Sequence, residues 1–145
     1  MPKIATILVP IDIAQLEAAD AAVALARDVA ETHGARLVLL NVVERVPGFV
    51  ASQLPKSFHE KALAEGKARL GEMAVRHGLG DGAEIVVRDG HPSTEILEYA
   101  QQIGADLIAI ASHDPDLSDY FLGSVAARVV RHAHCSVLVV RPSDD

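Results

Sequence analysis

Residues 106–141 read DLIAIASHDPDLSDYFLGSVAARVVRHAHCSVLVVR. The stretch opens on the apolar run DLIAIA and closes on the apolar run SVLVVR. Runs this short, rich in Ile, Val and Leu, predict strands buried on both faces. Between them come a polar loop over 112–122 and a helix predicted over 123–132. A strand, a crossover helix and a second strand form one parallel unit, because parallel neighbours need a long connection between them.

The same alternation runs upstream. Residues 4–11, IATILVPI, form a strand closed by Pro10 and Asp12. Leu16, Ala19, Val23, Ala26, Val29 and Ala30 follow at helical spacing over 16–32, and His33-Gly34 stops that helix. Residues 36–43, RLVLLNVV, predict the second strand, and 46–55 a loop between prolines. An Ala-rich helix over 56–77 carries a core stripe of Leu63, Leu70 and Met73, and 78–82 break it. A third strand is predicted over 83–88, a turn over 89–93 and a helix over 95–103 closed by Gly104. Four βα units and a final strand predict one domain over residues 1–145. Its expected class is α/β: an open five-stranded parallel sheet in the order 3-2-1-4-5, with two helices on each face. The tail over 142–145 is expected to fray.

Composition narrows the function. Half of the 145 residues are hydrophobic and only 3% are aromatic, so the core must be aliphatic. A net charge of -7 argues against a general nucleic-acid binder. The one cysteine, Cys135, cannot close an intramolecular disulfide, which fits a reducing compartment. Residues 1–10 carry a single Lys and run straight into a strand, and no apolar run approaches ~18–20 residues. The expectation is a cytoplasmic chain with neither signal peptide nor membrane span.

In an open parallel sheet, ligands sit beyond the carboxyl ends of the strands, where the strand order reverses. That rule selects Pro10-Ile11-Asp12, Asn41-Val42-Val43, Asp89-Gly90-His91-Pro92 and Ala111-Ser112-His113-Asp114. Gly123-Ser124 opens the last helix, whose first amides point outward with partial positive charge. There a phosphate can approach Gly123, and the Ser124 hydroxyl can donate to it. Ser124 could equally be a plain helix cap, and Asp12 a plain turn residue. His132 and His134 lack the spacing of a metal site and are expected at the end of the last helix. Arg128 and Arg131 are expected on a solvated helix face, and Cys135 is expected to be inert. No G-x-S-x-G elbow and no Walker lysine is present, so no catalytic residue is assigned.

These segments together resemble the universal stress protein family, and the likeness covers the whole chain. ILVPID over 7–12 is similar to the family's first strand. Gly90-His91-Pro92 followed by Ile96 resembles its G-x-P-x-x-x-I turn, and GSVAARVVRHAHCSVLVVR over 123–141 resembles its C-terminal signature. The resemblance implies an adenine nucleotide α-hydrolase-like fold and an ATP-binding stress-response protein. Carried over position by position, it implies that Asp12 bonds adenine or ribose, with Pro10 and Ile11 supplying the adjoining backbone. Val42 would pack on adenine, and Ile110 would lie under the ribose or base. Ala111, Ser112 and His113 would form the loop, and Gly123, Ser124, Val125 and Ala126 would meet the phosphates.

One departure bears on this. The family's nucleotide pattern is G-x-x-G, nine residues, then G-[ST]. Here Ala111-Ser112-His113-Asp114 replaces the glycines, and eight residues precede Gly123. The loop resembles a family subgroup reading A-S-H-x-P-[DG]-x-x-x-Y-L-L-G-S. Asp114, Asp116 and Asp119 would repel a triphosphate unless a cation lay between, so Mg²⁺, held indirectly by Asp114 and Asp116, is one implication. A dimeric interaction scaffold without nucleotide is the other. An acidic loop leaves the transferring group without positive charge, so at most slow ATP hydrolysis or autophosphorylation is expected. The apolar last strand would expose an unpaired edge, and the resemblance implies a homodimer through it, with a tetramer as a further step.

Overall fold

The computed structural model describes residues 3–112 and 122–141. Five strands, β1 Thr6–Pro10, β2 Arg36–Val43, β3 Ala83–Asp89, β4 Leu107–Ala111 and β5 Ser136–Val140, form one sheet in the order β3-β2-β1-β4-β5. Every pairing is parallel, with Leu8 opposite Val38 on one side and Ile108 on the other. This is the expected class and strand order.

The helices are α1 Leu16–His33, the single turn α2 Gly48–Ala51, α3 Phe58–Arg76, α4 Pro92–Ile103 and α5 Ser124–His132. Strand alternation splits the core into two layers. Ile7, Val9, Leu37, Leu39 and Ala109 pack under α1 and α3, where Ala22, Val23, Ala26, Leu70 and Met73 are buried. Leu8, Val38, Leu40, Ile108 and Ile110 face α4 and α5, against Ile96, Tyr99, Ala126 and Val129. The four long helices therefore lie two to a face. Alanine dominates the buried side of α1, so a wide helix can approach the sheet closely.

Element ends differ from the sequence reading for local reasons. β1 begins at Thr6 rather than residue 4; Asp106 accepts hydrogen bonds from the Ala5 and Thr6 amides at 2.8 and 3.0 Å and pins the strand's entry. α4 starts at Pro92, three residues early, because a proline suits the first helical position. The loop over 46–55 contains α2, which the sequence pattern did not show. α1 and α4 both end on glycines at φ 66° and 65°, the left-handed helix stop. His132 closes α5, whereas His134 lies beyond it rather than in its last turn.

Candidate functional site

A cavity of about 680 Å³ opens at the carboxyl ends of β1, β2 and β4. It lies where the strand order reverses between β1 and β4. The volume falls within the ~300–1,000 Å³ typical of small-molecule sites.

Ten of the twelve residues selected from the sequence line this cavity. Pro10, Ile11 and Asp12 come from the end of β1, Val42 from β2, and Ile110 and Ala111 from β4. Gly123, Ser124, Val125 and Ala126 come from the start of α5. Ser112 is not on the wall: it is buried, and its amide donates to the Val140 carbonyl at 3.0 Å, extending the β4–β5 ladder. His113, Asp114, Asp116 and Asp119 lie outside the described residues. Of the stretch from Asp89 to Pro92, only Pro92 reaches the cavity. Asp89 instead meets His59 at 3.1 Å and Arg45 at 3.5 Å. The Arg45 guanidinium, with His59 assisting, holds its carboxyl below the usual carboxylate range. Gly90 turns the chain at φ 139°, with its amide on the Val43 carbonyl.

Main-chain geometry makes this wall polar. Successive strand residues direct their main-chain groups to opposite neighbours. The Leu40 carbonyl accepts from Ile11 on the β1 side at 2.7 Å, and the Val43 carbonyl accepts from Gly90 on the β3 side. Val42 therefore presents its N–H and C=O toward β1, which has already ended. Among the described residues no backbone bond crosses to Val42 there. Asp12 is exposed and caps the 3-10 turn Ile13–Gln15, with Oδ1 accepting from the Ala14 amide at 3.0 Å. One of its carboxylate oxygens thus serves the turn while the residue also lines the cavity.

The start of α5 stands across the crevice. Its N-cap is Gly123, at φ -59° and ψ 154°, with the Gly123 carbonyl accepting from Ala127 at 2.9 Å. Gly123 has no side chain to cap the helix. Ser124 occupies the first helical position, one beyond the cap, and is exposed. The amides of Ser124, Val125 and Ala126 belong to the first turn, where no intrahelical acceptor exists.

Several wall residues were not singled out from the sequence. Ala62 and Glu65 arrive from α3 and Glu44 follows β2, while Ile96, named only as part of the turn motif, comes from α4. Asn41, within a selected stretch, is only 4% exposed; its amide donates to the Ile11 carbonyl at 2.9 Å, and its Oδ1 has no partner among the described residues. Among the described lining residues the charged ones are Asp12, Glu44 and Glu65; none is Lys or Arg. Glu65 is paired with Arg69 one turn along α3 at 2.9 Å. No group of metal-ligating side chains assembles among the described residues. Cys135, outside the cavity, has its thiol pushed up by burial, which keeps it protonated. Arg128 and Arg131 are exposed on α5.

A doubly wound, parallel α/β sheet with a cavity at its switch point is an architecture that holds small ligands beyond the strand ends. Residues 3–141 match the model of the universal stress protein family. The chain belongs to that family. It is 35% identical over 144 residues to universal stress protein G of Escherichia coli O157:H7, covering 94% of this chain and 98% of that one. It superposes on the universal stress protein UspA of Lactobacillus plantarum with a TM-score of 0.79 at 26% identity, covering 97% of this chain and all of that one. A universal stress protein solved in complex with cAMP shares the fold, with a TM-score of 0.73 at 22% identity over 96% of this chain and 98% of that one. No described helix is long and apolar enough to cross a membrane.

Proposed function

We propose that the chain binds an adenine nucleotide, with ATP as the leading ligand, in the cavity at the carboxyl edge of the sheet. The nucleotide serves as a sensor or structural ligand in a stress-response protein. The observation that carries this reading is the pairing across one crevice of two main-chain surfaces. On one side stand the N–H and C=O of Val42, unbonded among the described residues, beside Asp12; on the other stands the start of α5, without a side-chain cap among those residues. A strand-edge donor and acceptor suit a purine edge, and helix-start amides suit phosphate. The family neighbour bound to cAMP supports the same ligand class.

In this reading Asp12 accepts from the ribose, Val42 and Ile110 sandwich the base, and Gly123 and Ser124 meet the phosphates. The wall lacks a cationic side chain among its described residues, so a triphosphate enters with a divalent cation such as Mg²⁺. The same lack leaves a phosphoryl group without transition-state charge stabilisation, so turnover of ATP is slow or absent. The protein pairs with a second copy through β5, an edge strand whose Val137, Leu138 and Val139 stay partly exposed.

Calorimetric titration with ATP, with and without Mg²⁺, tests the proposal. Saturable binding strengthened by Mg²⁺ is expected. Absence of heat under both conditions, with no adenine nucleotide released on denaturing the purified protein, refutes it. The acidic wall favours the second reading, a dimeric scaffold without nucleotide, and that result together with a dimer mass in solution would support it.

A further inference from the structure

Asn41 is out of keeping with its surroundings. It continues the inward alternation of Leu37 and Leu39 toward α1 and α3, an otherwise aliphatic layer. Its Oδ1 is fully buried and has no partner among the described residues, a condition that destabilises a fold unless something is gained. The amide cannot simply be turned over. Nδ2 donates to the Ile11 carbonyl at 2.9 Å, and the reverse orientation would set two acceptors against each other. Space for the orphaned oxygen exists only because residue 66 of α3 is glycine; a Cβ there would stand 2.5 Å from Oδ1.

The Ile11 carbonyl faces β2, as its amide does in bonding Leu40. In a continuing ladder the Val42 amide would bond that carbonyl. The Asn41 side chain takes that place, and the Val42 N–H is left to the cavity. The same bond sets the next peptide. In a trans peptide C=O and N–H point oppositely, and no cis peptide is present among the described residues. With the Ile11 carbonyl held toward β2, the Asp12 N–H is turned toward the β4 side, into the crevice. It has no hydrogen-bond acceptor among the described residues.

We infer that Asn41 is a positioning residue. By capturing the Ile11 carbonyl it frees the Val42 amide and aims the Asp12 amide, giving the cavity two preset main-chain donors. Gly66 is its obligate counterpart. The inference rests on the nucleotide reading above and names what makes that site selective for a ligand with hydrogen-bond acceptors.

The test compares wild type, Asn41→Val, Gly66→Ala and the double variant by ATP–Mg²⁺ calorimetry, thermal melting and the ¹⁵N-amide spectrum. Asn41→Val is expected to melt close to wild type, to bind ATP about tenfold more weakly, and to lose the ATP-induced shift of the Asp12 amide. Gly66→Ala is expected to lower both the melting temperature and the affinity by pressing on Oδ1. In the double variant the melting temperature recovers while the affinity does not. A purely structural Asn41 would move melting alone. A folded Asn41→Val that binds ATP within twofold of wild type overturns the inference; should that variant fail to fold, unchanged affinity in Gly66→Ala does the same. A wild type that binds no nucleotide overturns the parent reading and this inference with it. A wild type that binds, beside variants that bind equally, overturns this inference alone.

Discussion

Asp12 is expected to do two separable jobs, and a pair of substitutions divides them. In Asp12→Ala the Ala14 amide loses its acceptor, now 3.0 Å away. Loss of such a cap costs about 1 kcal/mol. For a chain of 145 residues that lowers the melting temperature by roughly 3 °C. In Asp12→Asn a side-chain oxygen remains at the same position, so melting should stay within about 1 °C of wild type. Binding should follow the opposite logic. A hydrogen bond to a charged group contributes roughly 1.5–3 kcal/mol, so removing it in Asp12→Ala should weaken ATP by roughly ten- to a hundredfold. Asp12→Asn replaces it with a neutral bond and should lose about tenfold without any loss of stability. Thermal melting without ligand and calorimetry with ATP–Mg²⁺ read the two effects independently. If both variants bind as wild type does while Asp12→Ala melts lower, Asp12 is a turn cap only and its assigned role in the site is wrong.

Three further outcomes are expected. Gly123→Val should abolish nucleotide binding by standing over the first amides of α5. It should leave the fold intact, since φ -59° and ψ 154° are open to any residue; a melting temperature within about 2 °C of wild type with unchanged ATP affinity contradicts this. Asp89 has its pKa depressed by Arg45 and His59. Its contribution to stability is therefore present above the ordinary carboxylate value of 3.8 and is lost as pH falls below it. Urea midpoints for wild type and Asp89→Asn should converge between about pH 4 and pH 2, and a constant gap across that range counts against the pairing. Cys135 should react slowly with a thiol-specific disulfide reagent at neutral pH and quickly once the chain is unfolded in urea, because burial holds the thiol protonated; equal rates would show an open thiolate.

Much of the candidate cavity's lining could be read in advance, because strand ends and helix starts are local features. Pro10-Ile11-Asp12, Val42 and Gly123-Ser124 each mark a place where an apolar run stops or a helix opens, and the reversal of strand order brings such places together. Ser112 misled for a related reason. It follows the β4 run directly and reads as loop, but one more rung with Val140 draws it into the sheet. Ala62 and Glu65 gave no signal, since on a helix an alanine and a paired glutamate look like core and solvent positions. Pro92 was legible both as a helix start and within a stretch that the strand-end rule selected, of which it alone reaches the wall.

The order of elements, their parallel sense and the division into two helical layers follow from periodicity within short windows. A run of Val, Ile and Leu, or an apolar stripe every third or fourth residue, carries its meaning in neighbouring positions. The cavity arises otherwise. Asn41 meets the Ile11 carbonyl thirty residues away, and Gly66 makes room for Asn41 from a different layer. Such contacts depend on how closely α3 settles on β2, which packing of the whole chain decides. Asn41 reads in sequence as one polar residue in an apolar strand, and only its surroundings in three dimensions reveal which carbonyl it holds and which oxygen it leaves unpaired.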